Sequence, residues 1–197
     1  GALCEQARQD LVRDGEALAL TISIHLNSAC DRIRGGVRAL AGSPWITPAL
    51  TDGRAIDLEH ANTVLDLYNA SLNVTVSYLL DLRGLAIASS NRHAPNSYTG
   101  RSFSHHPHFR EALQGLGGED FSVGRISGRR AFYASFPVRD PAGKIVGVAA
   151  MRKDLDIAET FFSKYPHCYF VDPNGIVFLA SRPDMVLKSL WPVTEKA

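Results

Sequence analysis

The sequence predicts an α+β protein with one long N-terminal helix, an antiparallel sheet module and a partial second copy of that module. Apolar residues recur at helical spacing from Leu3 to Ala41. A strand-strand-helix-strand-strand-strand order follows between Leu79 and Asp154. A strand, an Asp-x-x-Gly turn and a strand that ends in Ala-Ser then occur a second time, which indicates an internal repeat.

The long helix is predicted from steps of three and four between apolar residues. Its stripe is Leu3, Ala7, Leu11, Leu18, Ile22, Leu26, Ala29, Ile33, Val37 and Leu40. At about 1.5 Å per residue the helix would be roughly 57 Å long, and it ends before the breaker Gly42-Ser43-Pro44. Gly15 and Gly35 weaken it locally, so a kinked pair of packed helices is the alternative.

The following elements are predicted in chain order. A second helix runs from about Leu58 to Ser71, with Asp57 as its cap. A hairpin, residues 78–90, turns at Asp81-Leu82-Arg83-Gly84, where glycine can adopt a left-handed conformation. A His-rich loop with a short helix, 105–115, precedes the last strands of the module, which carry residues 132–138 and 144–152. A connecting helix, Ile157 to Lys164, and a second hairpin, 169–181, complete the prediction.

The composition narrows the class of protein. Of 197 residues, 45% are hydrophobic, which is enough for a core. The net charge of +1 argues against a nucleic-acid-binding surface, which normally has a basic excess. No apolar run of about 18 residues predicts a membrane span. Cys4 and Cys30 would lie roughly 39 Å apart on one helix, so we expect them and Cys168 to be unpaired.

Histidines and strand residues provide the candidate site. His105, His106 and His108 form a dense cluster that suits a transition metal, a hydrogen-bonded ligand or an ordinary exposed loop. No complete zinc-site spacing accompanies them, and no cofactor is implied. Tyr133 and Ser135 share one face of a strand, where they either line a pocket or belong to the core.

A charged pair closes the candidate set. Arg152 ends an apolar strand, where it can face a ligand or extend into solvent. Asp154 lies two residues later and could cap the helix that follows. No nucleotide-binding loop, kinase motif or Gly-x-Ser-x-Gly elbow is present, so we predict that this chain is not itself an enzyme.

Four short motifs support a family resemblance. They are the Ser89-Ser90-Asn91 strand end, Pro107-x-Phe109-x-x-Ala112-x-x-Gly115, Tyr133-x-Ser135-x-Pro137-Val138 and the Gly147-Val148 strand that ends near Asp154. In their order and spacing, residues 72–193 resemble the ligand-binding module of extracellular double Cache sensors, which are PAS-like. The resemblance is greatest to dicarboxylate-sensing histidine kinases. In those sensors the positions of His106 and His108 are usually Arg and Tyr, so this chain departs from the family there.

The resemblance implies a role and a domain division. The chain would be the extracytoplasmic sensing region of a bacterial inner-membrane receptor, a sensor histidine kinase of a two-component system, with the catalytic domain elsewhere. Residues 1–45 would be the connector helix, 46–155 the membrane-distal ligand-binding module and 156–197 a partial membrane-proximal module. The distal module would bind a small anionic, carboxylate-type ligand.

The same resemblance assigns the site residues and the partners. It implies that His105, His106, His108, Tyr133, Ser135, Arg152 and Asp154 line the pocket. Arg152 stands where the related sensors have a Lys that grips a carboxylate, and a guanidinium would grip it as a planar fork. A homodimer and attachment to the membrane through flanking segments are further expectations. The alternatives are a metal-dependent enzyme that uses the His cluster and a spacer that mediates dimerisation without binding a ligand.

Overall fold

The fold combines a long helix with two antiparallel sheets. The computed structural model describes residues 2–124, 128–155, 168–171 and 175–191. The helices are α1 (Ala2–Ala41), α2 (Thr47–Thr51), α3 (Ala55–Leu72) and α4 (Pro107–Leu113), with a 3₁₀ turn at Pro183–Met185. The strands are β1 (Val76–Leu80), β2 (Ala86–Ser89), β3 (Gly118–Val123), β4 (Arg130–Arg139), β5 (Ile145–Asp154), β6 (Tyr169–Val171) and β7 (Val177–Ala180). The predicted helix at 157–164 lies outside the described residues.

Helix α1 is continuous over 40 residues, which confirms the long-helix prediction. The kinked pair is therefore wrong, because neither Gly15 nor Gly35 interrupts the helix. Its predicted stripe is buried in the C-terminal half, at Ile22, Ile33, Val37 and Leu40. Towards the N-terminus the described side chains before Leu18 are exposed. Half of the helix thus packs on the sheets and half extends beyond them.

Helix α3 starts three residues earlier than predicted, and Asp57 is not its cap. Arg54 occupies the N-cap position in an extended conformation. Asp57 lies in the first turn, where its carboxylate accepts hydrogen bonds of 2.6 and 3.0 Å from the Arg54 guanidinium. The cap prediction was wrong, because the helix begins before Asp57 and the Asp57 carboxylate binds the Arg54 side chain.

The main sheet has the predicted connectivity and is antiparallel throughout. Its five strands are ordered β2-β1-β5-β4-β3. Alternate residues face opposite sides. One side carries Leu79, Phe132, Ala149 and Met151 in the core formed with α1 and α3. The other side carries Tyr78, Val148 and Ala150 in a second core with Phe109 and Ala112 of α4.

The second sheet repeats the first hairpin, as the internal repeat predicts. Strands β6 and β7 pair antiparallel, with an irregular register just before the turn, and β1 and β2 do the same. Gly84 and Gly175 take the same left-handed conformation, with φ of 82° and 83°. The residue after each glycine forms an isolated bridge to a serine, Leu85 to Ser102 and Ile176 to Ser189.

The two sheets meet α1 at a shared apolar joint. Leu26 and Ile33 of α1, Phe132 of the main sheet and Leu179 of the second sheet line one small cavity there. The stripe of α1 therefore contacts both sheets. The exact division at residues 45 and 155 stays a prediction. Among the described residues, no helix combines the length and the apolar character needed to cross a membrane.

Candidate functional site

A buried polar cluster lies on the α4 side of the main sheet. The strand register places Tyr133 of β4 directly opposite Arg152 of β5 and Asp120 of β3. Asp154 follows two residues after Arg152 and therefore faces the same side. The loop that precedes α4 brings His106 against Tyr133 on this face, and His105 contacts His106. The structure thus assembles the predicted histidines, Tyr133 and the charged pair in one place.

Arg152 is the most deeply buried charge of the described chain, with 2% of its side chain exposed. Its Nη1 donates to the Tyr98 hydroxyl at 2.7 Å, and its Nη2 lies 2.6 Å from Asp154 Oδ1. Its guanidinium carbon lies 5.8 Å from the centre of the Tyr133 ring. The alternative in which Arg152 extends into solvent is wrong, because aromatic rings and a carboxylate surround it.

His108 is fully buried and stacks on Tyr133. The two ring centres are 5.3 Å apart and the planes differ by 8°. Neither ring nitrogen has a hydrogen-bond partner among the described residues. Burial, together with the neighbouring His106 and His105, lowers the pKa of His108 to about 3, so the imidazole is neutral near pH 7. A neutral imidazole offers one donor and one acceptor.

His106 and His105 continue the ring stack towards solvent. His106 is half-buried and lies 5.3 Å from His108 and 5.9 Å from Tyr133, centre to centre. His105 is exposed and lies 4.4 Å from His106. The three histidines form a series of contacting rings from the surface to the buried cluster. Within the part of the chain that the structure describes, no group of His, Cys, Asp or Glu is arranged to hold a metal ion.

Ser135 seats the helix that carries His108. Its hydroxyl donates to the His108 carbonyl oxygen at 2.6 Å, and the Gly118 carbonyl lies 3.4 Å away. A side chain at Gly118 would collide with the backbone of His108, so only glycine lets α4 approach β3 this closely. The hydroxyl hydrogen of Ser135 is used inside the protein. Its direct contact with a ligand stays a prediction.

Aromatic residues complete the cluster, and sequence reasoning gave them little weight. Tyr98, in the loop after β2, is buried beside Arg152, and its backbone N–H donates to Asn91 Oδ1. Tyr78 and Phe103 pack against it with ring centres 5.0 to 5.2 Å apart. The Tyr78 hydroxyl has no hydrogen-bond partner among the described residues. The sequence signal that could have identified Tyr78 is an aromatic residue at a position of β1 that faces the interior.

Burial also affects the tyrosines. It raises the pKa of Tyr78, and it raises the pKa of Tyr133, whose phenol neighbours Tyr98. Both phenols are therefore uncharged near neutral pH and can donate a hydrogen bond. Among the described residues, the site contains the buried cation Arg152, the carboxylate of Asp154 beside it, and several neutral hydrogen-bonding groups. Such a set can hold a small polar molecule.

Comparison with known proteins identifies relatives. No protein-family model matches. The C4-dicarboxylate transport sensor protein DctB of Rhizobium meliloti (strain 1021) is 29% identical over 171 residues, which are 86% of this chain and 27% of that protein. DctB of Pseudomonas aeruginosa PAO1 is 31% identical over 157 residues, which are 79% of this chain and 26% of that protein. The chain spans about a quarter of the length of these curated relatives.

A solved structure has the same fold over nearly the whole chain. The sensor domain of the Vibrio cholerae histidine kinase DctB matches with a TM-score of 0.85 and 25% identity, and the match covers 95% of this chain and 73% of that one. Fold and buried polar face together define a non-catalytic, extracytoplasmic sensor domain of the Cache type, which is PAS-like. In sequence and fold the chain is similar to the sensor domains of DctB proteins.

Proposed function

We propose that this domain binds a small carboxylate anion between α4 and the β4–β5 face, and that it is the sensing part of a membrane-bound histidine kinase. The supporting observation is the buried Arg152 next to polar groups that lack partners. The ring nitrogens of His108 and the hydroxyl of Tyr78 make no hydrogen bond within the described chain. Buried polar groups without partners are costly, and a bound ligand would satisfy them.

The chemistry of the cluster favours a carboxylate. A buried guanidinium can bind a carboxylate through two parallel hydrogen bonds. The neutral His108 and the phenols of Tyr78 and Tyr133 can donate further bonds to its oxygens. The relatives are named as C4-dicarboxylate transport sensor proteins, which supports a four-carbon diacid as the first ligand to test. His106 and His108 would contact the end of the diacid that lies away from Arg152.

The ligand belongs to the five-stranded module in this proposal. All the polar groups described above lie on α4, its preceding loops and the main sheet. The described part of the second sheet is a single hairpin whose strand β7 is buried in the joint. A chain that ends after Asp156 should therefore retain binding if circular dichroism shows that it is folded. A folded truncation that loses binding would place part of the site in the second module.

Signal transfer follows from the connection of both sheets to α1. A ligand that prefers one arrangement of the main sheet shifts the population of that arrangement, and α1 would carry the change along its length of about 60 Å. A homodimer is part of the same proposal. Leu20 and Ile24 are 62% and 57% exposed and point away from the buried stripe, so a second copy of α1 is a suitable partner for them.

Titration calorimetry with succinate tests the ligand proposal. Arg152→Ala removes a charge-assisted pair from a desolvated site, which costs roughly 2–5 kcal/mol, or about thirtyfold or more in Kd. Arg152→Lys should recover only part of the affinity, because Lys cannot form the fork. Arg83→Ala is the matched control, since Arg83 lies in the exposed hairpin turn beside Asp81, and it should bind like the parent.

Two results would contradict the proposal. Unchanged succinate binding in Arg152→Ala would exclude Arg152 as the carboxylate contact. No binding by the parent to succinate, malate or fumarate would favour the spacer without a ligand. For the dimer, light scattering should give a dimer mass for the parent and a monomer mass for Leu20→Glu, whereas equal masses would place the contact elsewhere.

A further inference from the structure

Asp154 occupies the place that a ligand carboxylate needs. Its Oδ1 lies 2.6 Å from Nη2 of Arg152, and 13% of its side chain is exposed. Nη1 of Arg152 is already engaged by the Tyr98 hydroxyl at 2.7 Å. In this state the positive charge of Arg152 is balanced from within the protein. A carboxylate that arrives from solution therefore meets a guanidinium that already has an anion.

Two carboxylates cannot share this guanidinium without a cost. Both fork geometries of arginine, end-on and side-on, use the Nη2 group that Asp154 contacts. A second negative charge a few ångströms from Asp154 would also repel it strongly, because the surroundings are desolvated. Binding of an anion is therefore favoured if Asp154 moves away from Arg152.

A second arginine is placed to receive it. Nη1 of Arg129 lies 3.7 Å from Asp154 Oδ2, the carboxylate oxygen that Arg152 does not contact most closely, and 62% of the Arg129 side chain is exposed. We infer that Asp154 is an internal competitor for the ligand carboxylate on Arg152, and that it transfers to Arg129 when the ligand binds. This inference rests on the proposed function. It adds a condition on specificity, because the ligand must carry a negative charge that can displace the Asp154 carboxylate from Arg152.

The movement of Asp154 from Arg152 towards Arg129 can affect the second sheet through Arg130. Arg130, the neighbour of Arg129, donates through Nη1 to the Phe178 carbonyl of β7 at 2.6 Å. The backbone N–H of Leu155, next to Asp154, donates to the Arg130 carbonyl at 3.1 Å. A stronger attraction between Asp154 and Arg129 therefore acts on the same short segment that contacts β7. The ion-pair exchange would couple an occupied site to the second sheet.

Calorimetry with succinate on two acid-to-amide variants tests the competition. Asp154→Asn removes the competitor, so Kd should fall about tenfold. Asp10→Asn is the matched control, because Asp10 is exposed on the N-terminal half of α1, away from the site, and its removal changes the net charge equally. Its Kd should change by no more than about twofold. An Asp154→Asn protein that binds succinate no more tightly than the parent, while Arg152→Ala abolishes binding, would overturn the inference and leave the proposed function intact.

A structure of the parent with succinate covers the case in which Asp154→Asn does not fold. Asp154 should then lie more than 4 Å from Arg152 and closer to Arg129 than the present 3.7 Å. An unchanged Arg152–Asp154 pair beside bound succinate would overturn the inference. If the parent binds no carboxylate at all, the proposed function and this inference fail together.

Fluorescence tests the route to the second sheet. The chain has two tryptophans, and Trp191 packs against Gly175 in the second hairpin. In a Trp45→Phe background, succinate should change the emission of Trp191. Arg129→Gln in the same background should bind succinate within about threefold of the parent yet lose most of that change. An Arg129→Gln protein that keeps the full change would exclude Arg129 as the acceptor of Asp154.

Discussion

The two faces of the main sheet are formed by the same strands but bury residues of different polarity. On the α1 side, Phe132 and Met151 are fully buried among apolar residues. On the α4 side, their neighbours Tyr133 and Arg152 are equally buried, but among polar groups. The unpartnered buried atoms of His108 and Tyr78 lie on this second side of the sheet.

This difference teaches how one sheet can serve both stability and binding. The apolar face gains free energy from burial and close packing. The polar face holds desolvated groups that the protein itself does not fully satisfy, which costs free energy in the absence of a ligand. Substitutions on the first face should therefore change stability, and substitutions on the second should change binding.

The largest stability effect is expected on the apolar face. Phe132→Ala should lower the free energy of unfolding by about 3–5 kcal/mol, because it leaves a cavity among packed residues. Urea denaturation would measure the loss. The succinate Kd of the folded fraction should stay within about threefold of the parent. A large change in Kd with little loss of stability would contradict the assignment of stability to the α1 side and of binding to the α4 side.

His108 should make stability depend on pH. Its pKa is about 3 in the folded protein because of burial and the nearby His106 and His105, against about 6.5 in the unfolded chain. Between these values only the unfolded chain takes up the proton, so stability is present above pH 6.5 and is lost as the pH falls. The loss at pH 5 should be about 2 kcal/mol.

Urea unfolding at pH 7 and pH 5 measures this effect. His108→Gln should show a smaller difference between the two pH values than the parent, by about 2 kcal/mol. His93→Gln is the control, because His93 is exposed in the loop after β2, and it should keep the loss of the parent. Equal losses in the parent and His108→Gln would mean that other groups control the acid sensitivity.

The position of α4 on the sheet can be disturbed by a substitution in β3. Gly118→Ala places a methyl group against the His108 backbone, so α4 must move, at a cost of about 1–3 kcal/mol. Because His108 moves with the helix, succinate binding should also weaken. Gly117→Ala is a suitable control, since its added methyl group would make only ordinary contacts with Phe136 and Ser135. A Gly118→Ala protein with parental stability and binding would show that α4 adjusts freely.

The smallest stability effect is expected at Tyr78. Tyr78→Phe removes a buried hydroxyl that has no partner, so the free energy of unfolding should stay the same or rise by up to about 1 kcal/mol. Loss of a donor to the ligand should weaken succinate binding about three- to tenfold. Calorimetry and urea denaturation on the same protein separate the two effects. Lower stability with unchanged Kd would assign Tyr78 to the core instead.

Part of the fold and of the site could be predicted from the sequence. The stripe of α1 and the order of the main sheet follow from periodicity and from glycine turns such as Asp81–Gly84. The family motifs led to His108, Tyr133 and Arg152. Tyr78 received no weight, because an aromatic in a strand is usually a core residue. The role of Ser135 in seating α4 was also missed, because no sequence pattern marks a hydroxyl that bonds to a distant carbonyl.

The sequence by itself determined which segments are helices and strands and which residues share a face, because these properties depend on spacing along the chain. The tertiary structure alone decided the partners. Arg152 meets Tyr98, 54 residues earlier, and Asp154 lies between Arg152 and Arg129. A buried polar group such as these is satisfied only when a donor or acceptor atom from a distant segment lies within about 3 Å of it. That contact geometry arises only when the loops, α4 and the sheet pack together.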